Sequence, residues 1–228
     1  MEPGEAVLDV ACGPGTLSRL AARVTGVHGL DFSKQMLAEA WGRASDDERQ
    51  NLTFTTGDGQ ALPFADASFD VGFSMFGLFM FPDRARGFAE LHRVLRPGGR
   101  ALVATWQPQD GIPPFVIINR ALAEELKDPQ EHPPPLSDPR ELRREMEAAG
   151  FEVEVHPATH TLSSPSLDTL WEGLERAHVA LGIARTQLGA ERYRALVERI
   201  RARLTEQLPV GEQQLVMPAW LGLGKKPV

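Results

Sequence analysis

A single cysteine, Cys12, stands in 228 residues, so no internal disulfide can staple the chain. The fold must rest on a buried core, and the composition predicts a reducing, cytoplasmic location. No apolar run approaches the ~20 residues that a membrane-spanning helix needs. The first run, Val7 to Val10, is too short for the core of a signal peptide and reads as a strand. Basic residues are also scarce: 24 Lys and Arg against 31 Asp and Glu leave a net charge of −7. That balance repels a phosphate backbone, which argues against nucleic acid as a partner. The histidines show no metal-ligand spacing, so no metal is expected. A length of 228 residues sits at the upper end of one ordinary domain and allows most apolar surface to be buried.

The chemistry starts at VLDVACGPGTLSRL, residues 7–20. Val7, Leu8 and Val10 form a short apolar strand, Asp9 lies within it, and Gly13 and Gly15 relax the backbone that follows. Strand, glycine turn and helix are predicted in that order. A ligand can approach such a turn closely because no Cβ stands in the way, and a helix starting near Thr16 offers unpaired N–H groups to an anionic end. Dinucleotide-binding folds use the same device with a third glycine, where this chain has Ser18.

Further blocks follow in order. A second strand, Thr25 to Leu30, ends in Asp31, whose carboxylate can accept both hydroxyl hydrogens of a ribose. LTFTTGDGQALPF gives a third strand ending at Gly57, Asp58 and Gly59, and SFDVGFSMFGLFMF a fourth. A helix from Asp83 to Leu95 is stopped by Arg96, Pro97, Gly98 and Gly99, which launch a fifth strand through Trp106.

Together these blocks resemble the class I S-adenosylmethionine-dependent methyltransferases, in particular the ubiquinone/menaquinone-type branch (methyltransferase domain 11-like), whose members read like FGLxxFPD after strand four. The resemblance covers roughly residues 4–106. It implies an α/β, Rossmann-like, seven-stranded, mostly parallel sheet with an antiparallel last strand, helices on both faces, and helical insertions roofing the carboxyl edge. Ligands would bind at that edge, beside strand one. The domain expectation is a single methyltransferase domain over 1–228, with a cofactor-binding core at 1–106 and cap or substrate insertions at 107–137 and 163–211.

In the second half, Pro108, Pro113, Pro114, Pro129, Pro133, Pro134, Pro135 and Pro139 surround one helix-like segment, Phe115 to Leu126. Asp138, Pro139 and Glu141 read as an N-cap, a first-turn proline and a capping-box acid for a helix that Gly150 ends. FEVEVHPATHTL follows as strand six. Leu167, Leu170, Trp171, Leu174 and Leu181 keep helical spacing, and Tyr193, Leu196, Val197, Ile200, Leu204 and Leu208 do so again, predicting two amphipathic helices. LVMPAWLGLGKKPV supplies the last strand. Relatives usually carry helices ahead of strand one, whereas six residues precede Val7. The resemblance then implies either that this sequence is trimmed ahead of strand one, or that 115–126 and 167–208 cover the pocket, together with a second subunit if the protein is a homodimer.

The resemblance assigns roles residue by residue. Asp9 orients the methionine amino group of S-adenosylmethionine, or of the product S-adenosylhomocysteine, and the backbone of Ala11, Cys12, Gly13 and Gly15 accommodates the amino-acid moiety. The plain alternative for Asp9 is a cap on the following turn. Asp31 takes the ribose. Asp58 accepts the adenine amine, with Gly59 and Gln60 offering backbone to the ring edge, unless Asp58 and Gly59 merely form a turn. Phe32 and Met36 pack against adenine or belong to the core. Ser74 and Met75 end strand four beside the cofactor, and Phe76, Phe79 and Trp106 wall the substrate. Quinone-type relatives tend to carry a polar pair where Phe79 and Met80 stand.

A small, largely apolar methyl acceptor, methylated at oxygen, nitrogen or carbon, is the expected partner. If a protein base is used, His178 on the roof helix or His160 at the end of strand six supplies it, while His92 packs structurally beside Phe88, Leu91 and Leu95. Two other readings are a non-catalytic cofactor-binding regulator or scaffold of the same fold, and an NAD(P)-dependent oxidoreductase, for which Ser18 and Asp9 are the wrong residues.

Overall fold

Seven strands, β1 (Val7–Val10), β2 (Val27–Asp31), β3 (Leu52–Thr56), β4 (Phe69–Met75), β5 (Leu95–Trp106), β6 (Glu152–Ser164) and β7 (Gln213–Lys225), form one sheet in the order β3-β2-β1-β4-β5-β7-β6. This is a computed structural model, and it describes residues 1–127 and 134–228. Pro129 and Pro133 lie outside the described residues. Strands β1 to β5 pair in parallel, and β7 runs antiparallel to β5 from Ala219 opposite Trp106 to Lys225 opposite Arg100. The strand order reverses between β1 and β4, so the carboxyl ends of those two strands flank the crevice where open α/β sheets bind ligands.

The chain divides into two compact units. The first comprises Met1–Gln107, Pro134–Ala158 and Ala219–Val228, the second Pro108–Pro133 and Thr159–Pro218. In the first, successive residues of β1 point to opposite faces of the sheet, as a strand requires. Leu8 and Val10 join Phe88, Leu91 and Val94 of α4 (Arg84–Val94) and Leu142 and Met146 of α6 (Pro139–Ala148). Val7 joins Val27, Val71 and Phe73 with Ala21 and Ala22 of α1 (Thr16–Ala22). Both faces of β1 are therefore dry, which explains its unbroken apolar reading.

Helix ends follow the sequence closely, with two differences. Asp83 caps α4 by accepting from the Arg86 N–H, and Lys226 Nζ donates to the His92 and Leu95 carbonyls at its other end, each at 2.8 Å. At α6 the cap is Asp138, with Pro139 in the first turn, as the sequence predicts. Glu141, however, does not close a capping box; it accepts from the Leu136 N–H, tying down the segment ahead of the helix. The helix α4 also ends one residue sooner than the expected Leu95, which already belongs to β5; Arg96 to Gly99 open that strand as the sequence predicts, with Gly98 at a φ of 78°.

In the second unit, α5 (Pro113–Leu126), α7 (Leu167–Ala177) and α8 (Val179–Gln207) bury Ile118, Ala121, Leu122, Leu170, Trp171, Leu174, Leu181, Leu196, Ile200 and Leu204. Glu125 of α5 pairs with Arg192 and Arg199 of α8, and Glu124 with Arg203. The helical spacing from Leu167 to Leu181 conceals a break: α7 ends at Ala177, His178 takes extended backbone, and Leu181 belongs to α8. A second break falls at Gly189, whose φ of 75° and ψ of 167° interrupt α8.

Candidate active site

The site grows from the turn after β1. Ala11, Gly13 and Gly15 have φ values of 57°, 53° and 72°, so three of five consecutive residues take the left-handed region that a side chain disfavours. Gly15 must also lack a side chain, because a Cβ there would fall 2.8 Å from that of Ala40 on α2 (Lys34–Arg43). Above Gly13 a Cβ would meet nothing within 4 Å, leaving backbone open to a ligand.

Asp31, at the end of β2, is 5% exposed and holds this turn in place. One carboxylate oxygen accepts from the Gly13 N–H at 2.9 Å and the other from the Ser33 N–H at 2.8 Å. Each oxygen keeps a further lone pair, so the carboxylate can take ribose hydroxyls without giving up either bond. The sequence located Asp31 but not its second duty, because pairing with a backbone N–H eighteen residues away leaves no mark on residue type.

Asp9 is buried at 2% exposed, and its carboxylate accepts from Ser18 Oγ at 2.6 Å. Burial pushes its pKa up to about 6, against the hydrogen bonds from Ser18 that pull it down, with Asp31 adding like-charge repulsion. Cys12 lies buried between these acids, and desolvation drives its thiol pKa upward, so it packs as a small apolar residue rather than acting as a nucleophile.

Beyond β3, Asp58 is clamped by Gln60, which donates its backbone N–H at 2.8 Å and its side-chain amide at 3.0 and 3.3 Å. These bonds, the backbone one first, lower the Asp58 pKa and keep it an acceptor. Gln60 Oε1 accepts from the Asp83 N–H at 2.7 Å, linking the carboxylate to the cap of α4. The side chain of Gln60 is thus committed to holding Asp58. Gly59 is required, because a Cβ there would meet the Phe81 ring at 2.4 Å. Phe32 is 83% exposed beside Asp31, and Met36 is half-buried on α2.

At the end of β4, Ser74 is fully buried and its Oγ accepts from the Leu78 N–H at 3.1 Å, so the hydroxyl shapes the turn. Met75 is half-buried beside it. Phe76 has a φ of 59°, uncommon for an aromatic residue, and its N–H donates to the Ala104 carbonyl of β5 at 3.0 Å. Its ring stacks on Trp106 with centroids 3.8 Å apart and planes 17° from parallel. Phe79 sits in the 3₁₀ turn Leu78–Met80, half-buried against the core cluster that contains Phe88.

The two candidate bases both belong to the second unit. His160 is exposed on β6. His178 is not on a helical stripe: it links α7 to α8, its Nδ1 is buried with no hydrogen-bond partner among the described residues, and its ring lies 5.6 Å from Phe115. Burial lowers its pKa to about 4, so the imidazole is neutral at physiological pH. His92 is half-buried, edge-on to Phe151.

Two carboxylates, an open glycine turn and an exposed aromatic ring, set at the strand-order reversal, fit an adenosine-bearing cofactor. Comparisons with known proteins agree. Residues 7–99 match a methyltransferase domain family. The chain is 34% identical to a 2-methyl-6-phytyl-1,4-hydroquinone methyltransferase from Synechocystis sp. over 77% of its own length and 56% of the relative's. It is 42% identical to a demethylmenaquinone methyltransferase from Beutenbergia cavernae over 50% of its length and 48% of the relative's. The chain thus spans about half the length of these curated relatives. Among solved structures, phosphoethanolamine N-methyltransferase 2 of Haemonchus contortus, in complex with S-adenosyl-L-methionine, shares the fold with a TM-score of 0.58 and 20% identity, over 100% of this chain and 50% of that one. In sheet order, in the sequence of its motifs and in these matches the chain is similar to the class I S-adenosylmethionine-dependent methyltransferases, and residues 7–99 match the methyltransferase domain family itself.

Proposed function

We propose that the protein transfers a methyl group from S-adenosylmethionine to a small, largely apolar, planar acceptor of the hydroquinone type. The observation that carries this reading is Asp31, a buried carboxylate bonded to the glycine turn with lone pairs to spare for a ribose. The acceptor class draws on the Phe76 and Trp106 stack and on the names of the two curated relatives.

The residues divide the work. Asp31 takes the ribose hydroxyls, Asp58, held by Gln60, accepts the adenine amine, and Asp9 faces the amino-acid end across the turn of Ala11 to Gly15. When bound, S-adenosylmethionine supplies an electrophilic methyl group on a cationic sulfur. Phe76 and Trp106 offer apolar π faces that exclude water, attract positive charge and align a flat ring. Most of the acceleration then comes from holding nucleophile and methyl group in line at near-attack distance. The region 1–106 is read as the cofactor core, and 107–137 with 163–211 as the acceptor cap. His178, buried and neutral, is the candidate base of that cap, with exposed His160 second.

Incubation with methyl-labelled S-adenosylmethionine and a panel of alkylated hydroquinones, phenols and amines tests the proposal. Label on a hydroquinone, matched by S-adenosylhomocysteine, is the expected result. Tight S-adenosylhomocysteine binding with no label on any acceptor would overturn the catalytic reading in favour of a binding protein.

A further inference from the structure

We infer that Ser18 is a positioning residue whose buried hydroxyl keeps the Asp9 carboxylate charged and in one orientation, ready for the ammonium group of the cofactor. The inference rests on the role given to Asp9 above, and goes beyond it by assigning a residue to which neither the motif nor the comparisons give a part.

The argument starts from what surrounds Asp9. Its strand neighbours in register are Gly29 on β2 and Phe73 on β4, neither of which titrates or donates from a side chain. Among the described residues, burial and the like charge of Asp31 oppose a negative charge there, while Cys12 is a neutral neighbour whose thiol donates to the Gly13 carbonyl and not to Asp9. Ser18, on α1 and 0% exposed, is the one side chain hydrogen-bonded to the carboxylate among the described residues, at 2.6 Å. That distance is in the range of a charge-assisted O–H···O⁻ bond.

A buried acid and a buried hydroxyl make poor core. Replacing such a pair by apolar side chains of similar shape is close to neutral for folding, whereas burying a carboxylate costs stability. The pair therefore has the character of a site rather than of packing. Dinucleotide folds put glycine at the Ser18 position for close helix–strand contact. Here a hydroxyl fills the gap between α1 and β1 and spends its one proton on Asp9.

The consequence is a pH profile. Asp9 titrates near 6, so S-adenosylhomocysteine affinity should fall on the acid side with a midpoint there. Removing the hydroxyl moves that limb to higher pH, by about one unit for the loss of a hydrogen bond to a charged group. Ser18→Ala then binds about twofold more weakly than wild type at pH 7, approaches a deficit of about tenfold below pH 6, and recovers as the solution is made alkaline. Ser18→Thr restores the profile.

The test combines calorimetric titration of S-adenosylhomocysteine across pH with ¹³C NMR of labelled aspartate carboxyls in the free protein, the Asp9 signal being assigned by its loss in Asp9→Asn. Ser18→Cys serves if Ser18→Ala does not fold, since it keeps the volume and weakens the donor. An Asp9 signal that titrates in place in these variants, or an affinity loss that is equal at every pH, overturns the inference while leaving the cofactor site intact. Wild-type affinity in Asp9→Asn removes the ammonium role itself, and with it the purpose assigned to Ser18.

Discussion

A side-chain carbon built on Gly77 falls 2.5 Å from the Cβ of Ala11, so the loop after β4 and the turn after β1 touch with no room for a methyl group between them. One loop carries Phe76 and the other the glycine turn; their contact sets the distance between the proposed acceptor wall and the cofactor. Ala11 itself holds a left-handed φ of 57° that glycine would adopt freely. Gly77→Ala should overpack this contact at a cost of about 1–3 kcal/mol and weaken S-adenosylhomocysteine binding about tenfold or more. Adding Ala11→Gly removes the opposing Cβ and should restore most of both losses. Calorimetry and thermal melts on the two single variants and the double variant check this, and additive losses would refute the coupling.

Asp31→Ala should weaken cofactor binding at least tenfold, because hydrogen bonds to a charged acceptor are worth about 1.5–3 kcal/mol each. Asp31→Asn should lose nearly as much, which is less obvious. Both carboxylate oxygens accept backbone N–H groups, from Gly13 and Ser33, so an amide NH₂ must confront one of those donors. Titration with S-adenosylhomocysteine distinguishes this from a simple loss of ribose contact, in which Asn would keep part of the affinity.

Trp106→Ala removes one ring of the stack on Phe76 while leaving the glycine turn and its carboxylates in place. The expected result is a several-fold rise in acceptor KM, about the worth of one aromatic pair, with S-adenosylhomocysteine affinity unchanged. Trp106→Phe should stay near wild type. Equal losses in both affinities would move Trp106 out of the acceptor wall.

Glu48 predicts how the scaffold responds to acid. It is 3% exposed, accepts from Arg19 at 2.9 Å and from Arg23 at 2.8 Å, and caps its own short helix with Ser45. The Arg19 and Arg23 bonds, with that of the Ser45 N–H, hold its pKa down to about 2 against an ordinary 4.5. A depressed carboxylate stabilises the fold fully above its ordinary pKa, and that contribution is lost as pH falls from 4.5 towards 2. Glu48→Gln should therefore lower the melting midpoint at pH 7, and the gap to wild type should close across that acid window.

What the sequence made legible was local and periodic. The strand, turn and helix of residues 7–20 and the cap of α4 are written in alternation, glycine placement and capping residues, and the structure has them; the antiparallel direction of the last strand came from the family resemblance alone. The left-handed Ala11 was not legible, since residue type gives no sign of that backbone at an alanine, nor of its close approach to Gly77. Nor was the clamp of Gln60 on Asp58, because residue type does not name a partner. His178 misled for a different reason: Leu174 and Leu181 are seven apart, so their helical spacing runs unbroken across a link that is not helical. Phe79 reads as a wall residue beside Phe76; the 3₁₀ turn that carries it, half-buried against the core, leaves no mark on residue type.

The interruption of α8 at Gly189 bears on how the second unit can evolve. A continuous helix of 29 residues would be a rod of about 43 Å, on which every inward residue is locked to one phase. The bend at Gly189 resets that phase, so the stretch with Leu181 and Ala184 and the stretch with Leu196, Ile200 and Leu204 each choose their own inward face. Sequence drift in one arm need not be matched in the other, provided position 189 keeps its hydrogen-only side chain.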